Sequence, residues 1–253
     1  MMIARNTPNP QTVAICIKSS GSTKIAQATD LYEQRLHYYV LGLRYAGSPY
    51  DYHTLGSCIS VDAASYAAVR GFPKRAAGED FYLLNKIAKL GPVARPTTPV
   101  IEITGRISDR VPFGTGPAVA ELAAAEQPLQ STLFYHPDSF HALRQFLASL
   151  ELLYAGTQLE LLPALPAPAI DVLQELGIAP ALQHCHKHSR DLASWSKHFH
   201  QWFDGFRTLK FIHGMRERGL ADLNLQESRD HPRSIWLTVT GGEYPSAGYP
   251  APS

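Results

Sequence analysis

Strand-forming and helix-forming runs are divided unevenly along this chain, and the division limits the folds open to it. Three short β-prone stretches occur, at residues 12–17, 52–61 and 93–104. The second is interrupted at Gly56-Ser57, and Pro96 and Pro99 make the third a poor central strand. Between them, apolar residues recur at helical spacing over 24–43 and 79–90, with Gly91 placed to cap the latter. Asp62 is placed to cap a short helix over 63–69 by accepting a free main-chain N–H. Beyond residue 117 the character changes: helical patterning is predicted over 118–125, 139–154, 168–176 and 189–218. A complete doubly wound domain needs repeated β-α alternation, and too few alternations precede Gly78. The expected architecture is therefore α/β with few strands, followed by a mostly α-helical C-terminal region. The expected boundaries are 1–117, 118–240 and a Gly/Pro/Ser-rich tail over 241–253.

Charge and cysteine usage remove several functions. Lys plus Arg number 23 against 22 Asp plus Glu, a net charge of +1. An electrostatic nucleic-acid binder needs a basic excess, so no nucleic-acid partner is expected. Cys16, Cys58 and Cys185 are odd in number and widely spaced, which builds no disulfide framework and suits a reducing, cytoplasmic compartment. No apolar run is long enough to span a bilayer.

The stretch from Tyr45 to Gly116 carries the chemistry, as four features in fixed order. Thr54-Leu55-Gly56-Ser57-Cys58 leads into a small-residue turn. Tyr66-Ala67-Ala68-Val69-Arg70-Gly71-Phe72 ends a short helix in an Arg-Gly-Phe turn. Gly78-Glu79-Asp80-Phe81-Tyr82-Leu83 opens a helix. Arg106 to Gly116 forms a basic loop with Gly114 and Gly116. Two acids at a helix start are favoured by the partial positive charge of its N–H groups. The same charge favours an ionised carboxylate that can accept a proton from a hydroxyl. Arg106 and Arg110 present planar donors that match phosphate oxygens, and the glycines permit close backbone approach. An ordinary solvated loop has the same composition, and Gly114-x-Gly116 is not a dinucleotide fingerprint.

As a set, these features resemble the acceptor half of family 2 glycosyltransferases with the GT-A fold. The resemblance covers a quarter to a third of the chain. It implies transfer of a sugar from a nucleotide-diphosphate donor to an acceptor hydroxyl, with inversion. By resemblance Asp80 is the base and Glu79 supports it. Arg106, Arg110, Gly114 and Gly116 lie on the diphosphate side. Tyr52, His53, Gly56 and Ser57 lie on the acceptor side. Such enzymes hold Mg or Mn on an Asp-x-Asp motif in their nucleotide-binding half. Here no aspartate has another two positions away, so no metal ligand or cofactor is assigned within this chain. Only 40 to 50 residues precede the acceptor-half features, whereas one strand-helix-strand unit takes ~30. The preferred explanation is a frame whose upstream part is lost, which is expected to be inactive alone and to expose an apolar surface where a sheet should pack. The alternative is a shortened, non-catalytic module that binds a glycan or a protein.

Other constellations read as structure. His184-Cys185-His186-Lys187-His188 is expected to be an exposed polar helix or turn rather than a zinc site. Tyr32 and Tyr39 fall at core spacing, whereas Tyr50, Tyr52 and His53 are the better acceptor-site candidates. A Cys58/His53 nucleophile pair is disfavoured by strand alternation. The stripe Trp195, Phe199, Trp202, Phe203, Phe206, Leu209, Phe211, Ile212 suits a core helix. It also admits peripheral membrane association through its apolar face.

Overall fold

The computed structural model describes residues 12–14, 17–19, 24–54, 59–75, 77–94, 101–103, 107 and 114–236. Helices dominate it. The strands β1 (Thr12–Ala14), β2 (Ile17–Ser19), β3 (Ile59–Val61), β4 (Val93–Ala94) and β5 (Ile101–Ile103) are two or three residues long. They form two small ladders. One has the order β3-β1-β4, with β3 antiparallel and β4 parallel to β1; in the other, β2 pairs in parallel with β5. The strand expected over 52–61 survives only as β3, because Tyr52 to Thr54 turn instead into the protein interior.

The helix α1 (Lys24–Ala46) runs from these ladders into the helical body. Its Tyr38, Leu43 and Ala46 share one core with Phe134, Phe140, Phe146 and the C-terminal aromatics. The body follows as α4 (Thr115–Ala124), α5 (Pro128–Ser131), α6 (Pro137–Ala148), α7 (Leu150–Tyr154), α8 (Ala167–Glu175), α9 (Ile178–His188), α10 (Leu192–Trp202), α11 (Gly205–Glu217) and α12 (Leu225–Asp230). α1 lies against both α4 and α6. The approach to α6 depends on Gly42: a Cβ there would stand 2.3 Å from the Phe140 ring. No helix among the described residues is long and apolar enough to cross a membrane.

Two short helices precede the body. In α2 (Ala63–Ala68), Asp62 caps as expected, its Oδ1 accepting the Ser65 N–H at 2.9 Å. Arg70 and Gly71 then both turn left-handed, at φ 61° and 63°. Gly71 is required twice over, since a Cβ would also meet the Tyr66 ring at 2.9 Å. The Tyr66 and Phe72 rings close this turn edge-on, 6.1 Å apart. Both are exposed, as is Leu90. The broad apolar face expected beneath a sheet involves strand side chains outside the described residues.

The helix α3 (Glu79–Ile87) ends sooner than its pattern predicts, with Ala88 at the cap and Gly91 beyond it. The long pattern over 189–218 is two helices, α10 and α11. Asp204 breaks it by leaving helical geometry (φ −82°, ψ −179°) and capping α11 through the Arg207 N–H at 3.1 Å. Of the apolar stripe, Trp195, Phe199, Phe203, Phe211 and Ile212 are 0–1% exposed and face the core, whereas Trp202, Phe206 and Leu209 are half-buried.

Gly42→Ala tests the α1–α6 approach. Alanine at an ordinary helix site stabilises by ~1 kcal/mol relative to glycine. Here overpacking reverses the sign, and a loss of about 1–3 kcal/mol is expected in urea unfolding.

Candidate functional site

A cavity of about 190 Å³ lies between α1, the segment after it, and the start of α11. That is below the roughly 300–1,000 Å³ of sites for drug-sized ligands and suits one ring-sized group. Leu36, Tyr39, Val40 and Leu43 enter from one face of α1; Tyr50, Tyr52, His53 and Thr54 enter from the chain after it. Phe81 of α3, Tyr135, Gly205 and Leu209 complete the wall. The i, i+3, i+4, i+7 spacing of the α1 set explains why these four meet on one side.

The wall is rich in hydroxyls yet uncharged. Burial pushes the phenols of Tyr39, Tyr50 and Tyr52 up well above their usual value. It holds His53 down at about 3 and its neighbour His37 at about 4, so both rings are neutral at pH 7. The two rings meet edge-on, 4.5 Å apart, and the Arg44 charge adds to the shift at His53. Tyr50 donates to the His200 carbonyl at 2.5 Å, and the Tyr135 hydroxyl pairs with His213 Nε2 at 2.9 Å. The Tyr39 hydroxyl is shut off from solvent and has no hydrogen-bond partner among the described residues.

The acidic pair does not itself line the cavity. Glu79 and Asp80 occupy the first turn of α3, directly before Phe81. Glu79 is exposed and Asp80 half-buried, with Asp80 Oδ1 accepting the Phe81 N–H at 2.7 Å. Gly114 precedes α4, at φ 109°, and Gly116 is buried in its first turn. Between them, Thr115 stands beside the Tyr32 phenol of α1, which also lies in the fields of Arg35 and Asp80. The Gly114–Gly116 turn and Asp80 thus approach the same stretch of α1.

Asn85 and Asp204 set the position of α3 against the body. Asn85 donates to Asp204 Oδ2 at 3.1 Å and accepts the Gly205 N–H at 2.9 Å. Lys89 adds an ion pair to the same carboxylate. Farther along α3, Tyr82 packs on Phe206, with the Arg75 guanidinium 3.8 Å above the Tyr82 ring.

Of the residues singled out in the sequence, Tyr52 and His53 line the cavity, and Asp80 directly precedes the lining residue Phe81. Gly56, Ser57, Arg106 and Arg110 lie outside the described residues, as do Cys16 and Cys58. Tyr50 joins the wall as expected. Tyr39, expected to serve only as core, lines the cavity as well. Phe81, Tyr135, Gly205 and Leu209 were not anticipated. Phe81 sits inside the Glu-Asp motif and is within reach of the sequence; Tyr135, just before α6, and Gly205, at the start of α11, are far away in the chain and carry no local signal. The histidine-rich run lies on α9 with His184, His186, Lys187 and His188 exposed and Cys185 buried. No known family model, curated protein or solved structure matches the chain.

Two measurements probe this wall. Tyr39→Phe removes a buried hydroxyl that lacks a partner, so the free protein is expected to hold its stability or gain about 1 kcal/mol. Tyr50→Phe leaves the His200 carbonyl unpaired and is expected to cost about 1–2 kcal/mol in the same urea titration. The second concerns pH. In the unfolded chain both imidazoles titrate near 6.5, so below that pH the unfolded state binds protons that the folded state refuses. Stability is full above pH 6.5 and falls as the pH drops toward 4 and then 3. In His53→Asn the slope of stability against pH between 6 and 4.5 is expected to flatten by about 1.4 kcal/mol per pH unit, one proton's worth.

Proposed function

We propose that this chain carries the acceptor-binding part of a GT-A-like, family 2 glycosyltransferase, which transfers a sugar from a nucleotide-diphosphate donor to an acceptor hydroxyl with inversion. The observation that carries the reading is a convergence. Tyr52 and His53, from one motif, line the cavity whose wall includes Phe81, the residue after Asp80 in another. Gly114 and Gly116, from a third, flank the Thr115 that meets Tyr32 within the field of Asp80.

In this mechanism the acceptor's ring lies against the aromatic wall, where apolar sugar or ring faces stack and neutral hydroxyls find Tyr39 and His53. Asp80 takes the proton of the attacking hydroxyl as its oxygen bonds to the anomeric carbon. The diphosphate departs from the opposite side, so the configuration inverts. The N–H groups at the start of α3 favour the negative charge on Asp80 before the proton moves. Arg106 and Arg110 belong to the departing diphosphate by resemblance alone.

The divalent ion of such enzymes does not fit this end of the molecule. Among the described residues Glu79 and Asp80 join no group of carboxylates or imidazoles at ligand spacing. A hard cation wants clustered oxygens, so no step is assigned to it here.

Nucleotide release from a panel of nucleotide-diphosphate sugars with manganese, measured for the complete enzyme with Asp80 and with Asp80→Asn, tests the reading. Turnover is expected to fall at least ~100-fold in Asp80→Asn, with nucleotide affinity unchanged. Equal rates reject Asp80 as the base. A wild type that turns over no donor, yet binds a neutral glycan that Tyr39→Phe weakens, favours the non-catalytic binding module.

A further inference from the structure

A second cluster stands at the start of α6, assigned to nothing so far. His136 precedes the helix, Asp138 lies in its first turn, and His231 follows α12. One ligand atom from each lies within 4.8 Å of the other two. The two imidazoles meet edge-on, with centroids 4.8 Å apart. All three side chains are half-buried. Asp138 Oδ1 is shut off from solvent and takes no hydrogen bond; the Arg233 guanidinium stands 3.4 Å away from it.

We propose that His136, Asp138 and His231 form a zinc site that clips the C-terminal turn, residues 231–236, to the start of α6. Two imidazoles and one carboxylate are a ligand set that zinc accepts, with water completing a tetrahedron. The proton positions are compatible. Each ring accepts a main-chain N–H through Nδ1, from Asp138 at 3.2 Å and from Arg233 at 3.1 Å. Those bonds put the lone pair on Nδ1 and the proton on Nε2. Zinc enters at Nδ1 by displacing the N–H, or at Nε2 by a change of tautomer. Both routes give up only long bonds that span two residues.

The surroundings say what the clip does. His141 Nε2 meets the Arg233 carbonyl at 3.2 Å, so the same turn is already tied once to α6. Beyond it, Ile235 is fully buried, and Trp236 packs on Tyr38 and Phe134 at 4.7 and 5.6 Å. A metal joining residue 136 to residue 231 closes a loop of more than 90 residues, and binding free energy becomes folding free energy. Arg233 is the natural competitor, because its cation occupies the carboxylate that zinc needs.

The test uses the full chain, stripped with a chelator and titrated with zinc chloride by calorimetry, with metal content and thermal unfolding measured in parallel. One equivalent of zinc is expected to bind the wild type and raise its Tm by several degrees. His136→Ala and His231→Ala are expected to weaken binding at least ~100-fold and to abolish the shift, with circular dichroism showing the fold retained. Arg233→Gln is expected to tighten binding several-fold, a response that a merely structural arginine would not give. His184→Ala/His188→Ala/His198→Ala, which removes the cluster of imidazoles shared by α9 and α10, is expected to change nothing. Absence of stoichiometric binding overturns the proposal. So does zinc binding that survives His136→Ala with His231→Ala, or that is lost with the α9 and α10 histidines.

Discussion

The carboxylate of Asp204 is the point on which the arrangement of this molecule depends. It is 5% exposed, it caps α11, and it receives both the Asn85 amide of α3 and the Lys89 ammonium just beyond that helix. A buried carboxylate is costly unless its oxygens are fully engaged, and here they are. Asn85 completes the exchange by accepting the Gly205 N–H. One short-chain acid therefore ends α10, starts α11 and fixes α3. Because α3 bears Asp80 and Phe81, the same bonds decide where the acidic pair sits against the cavity.

The cavity itself works by exclusion of charge. Its phenols and its imidazole are neutral near pH 7, and the charged pairs beside it, Arg44 with Asp51 at 3.3 Å and Lys89 with Asp204, are spent internally. A group entering it must leave water without gaining an ion partner. Such a site rejects charged ligands and tolerates rings that bear neutral hydroxyls, since these exchange water for tyrosine at little cost.

Local signals in the sequence were read well where the physics is local. Asp62 caps α2 through a bond to the third residue on, and the apolar spacing of α1 and α3 gives their buried faces. The Arg-Gly-Phe turn also carries its own reason: Gly71 needs both a left-handed backbone and room beneath Tyr66. What stayed hidden depends on distance. Phe203-Asp204 reads as the middle of one long amphipathic helix until Asn85, 119 residues earlier, is seen to claim the carboxylate. Tyr135 and the pair His136/His231 are isolated residues in the sequence, and only the packing of α6 against the C-terminal turn brings them into play. The strand at 52–54 failed because Tyr50 and Tyr52 find a buried environment across the body that outweighs a ladder.

The position of α1 has a cost during synthesis. Tyr38 finds its final neighbours only in Phe134, Phe140 and Trp236. A ribosome adding roughly 5–20 residues per second completes that stretch some ~10–40 s after Tyr38 emerges. Phe134 and Phe140, the latter filling the groove that Gly42 leaves, follow about half way through that interval, and Trp236 only at its end. The aromatic core around α1 can thus close only when the far end of the chain has been made.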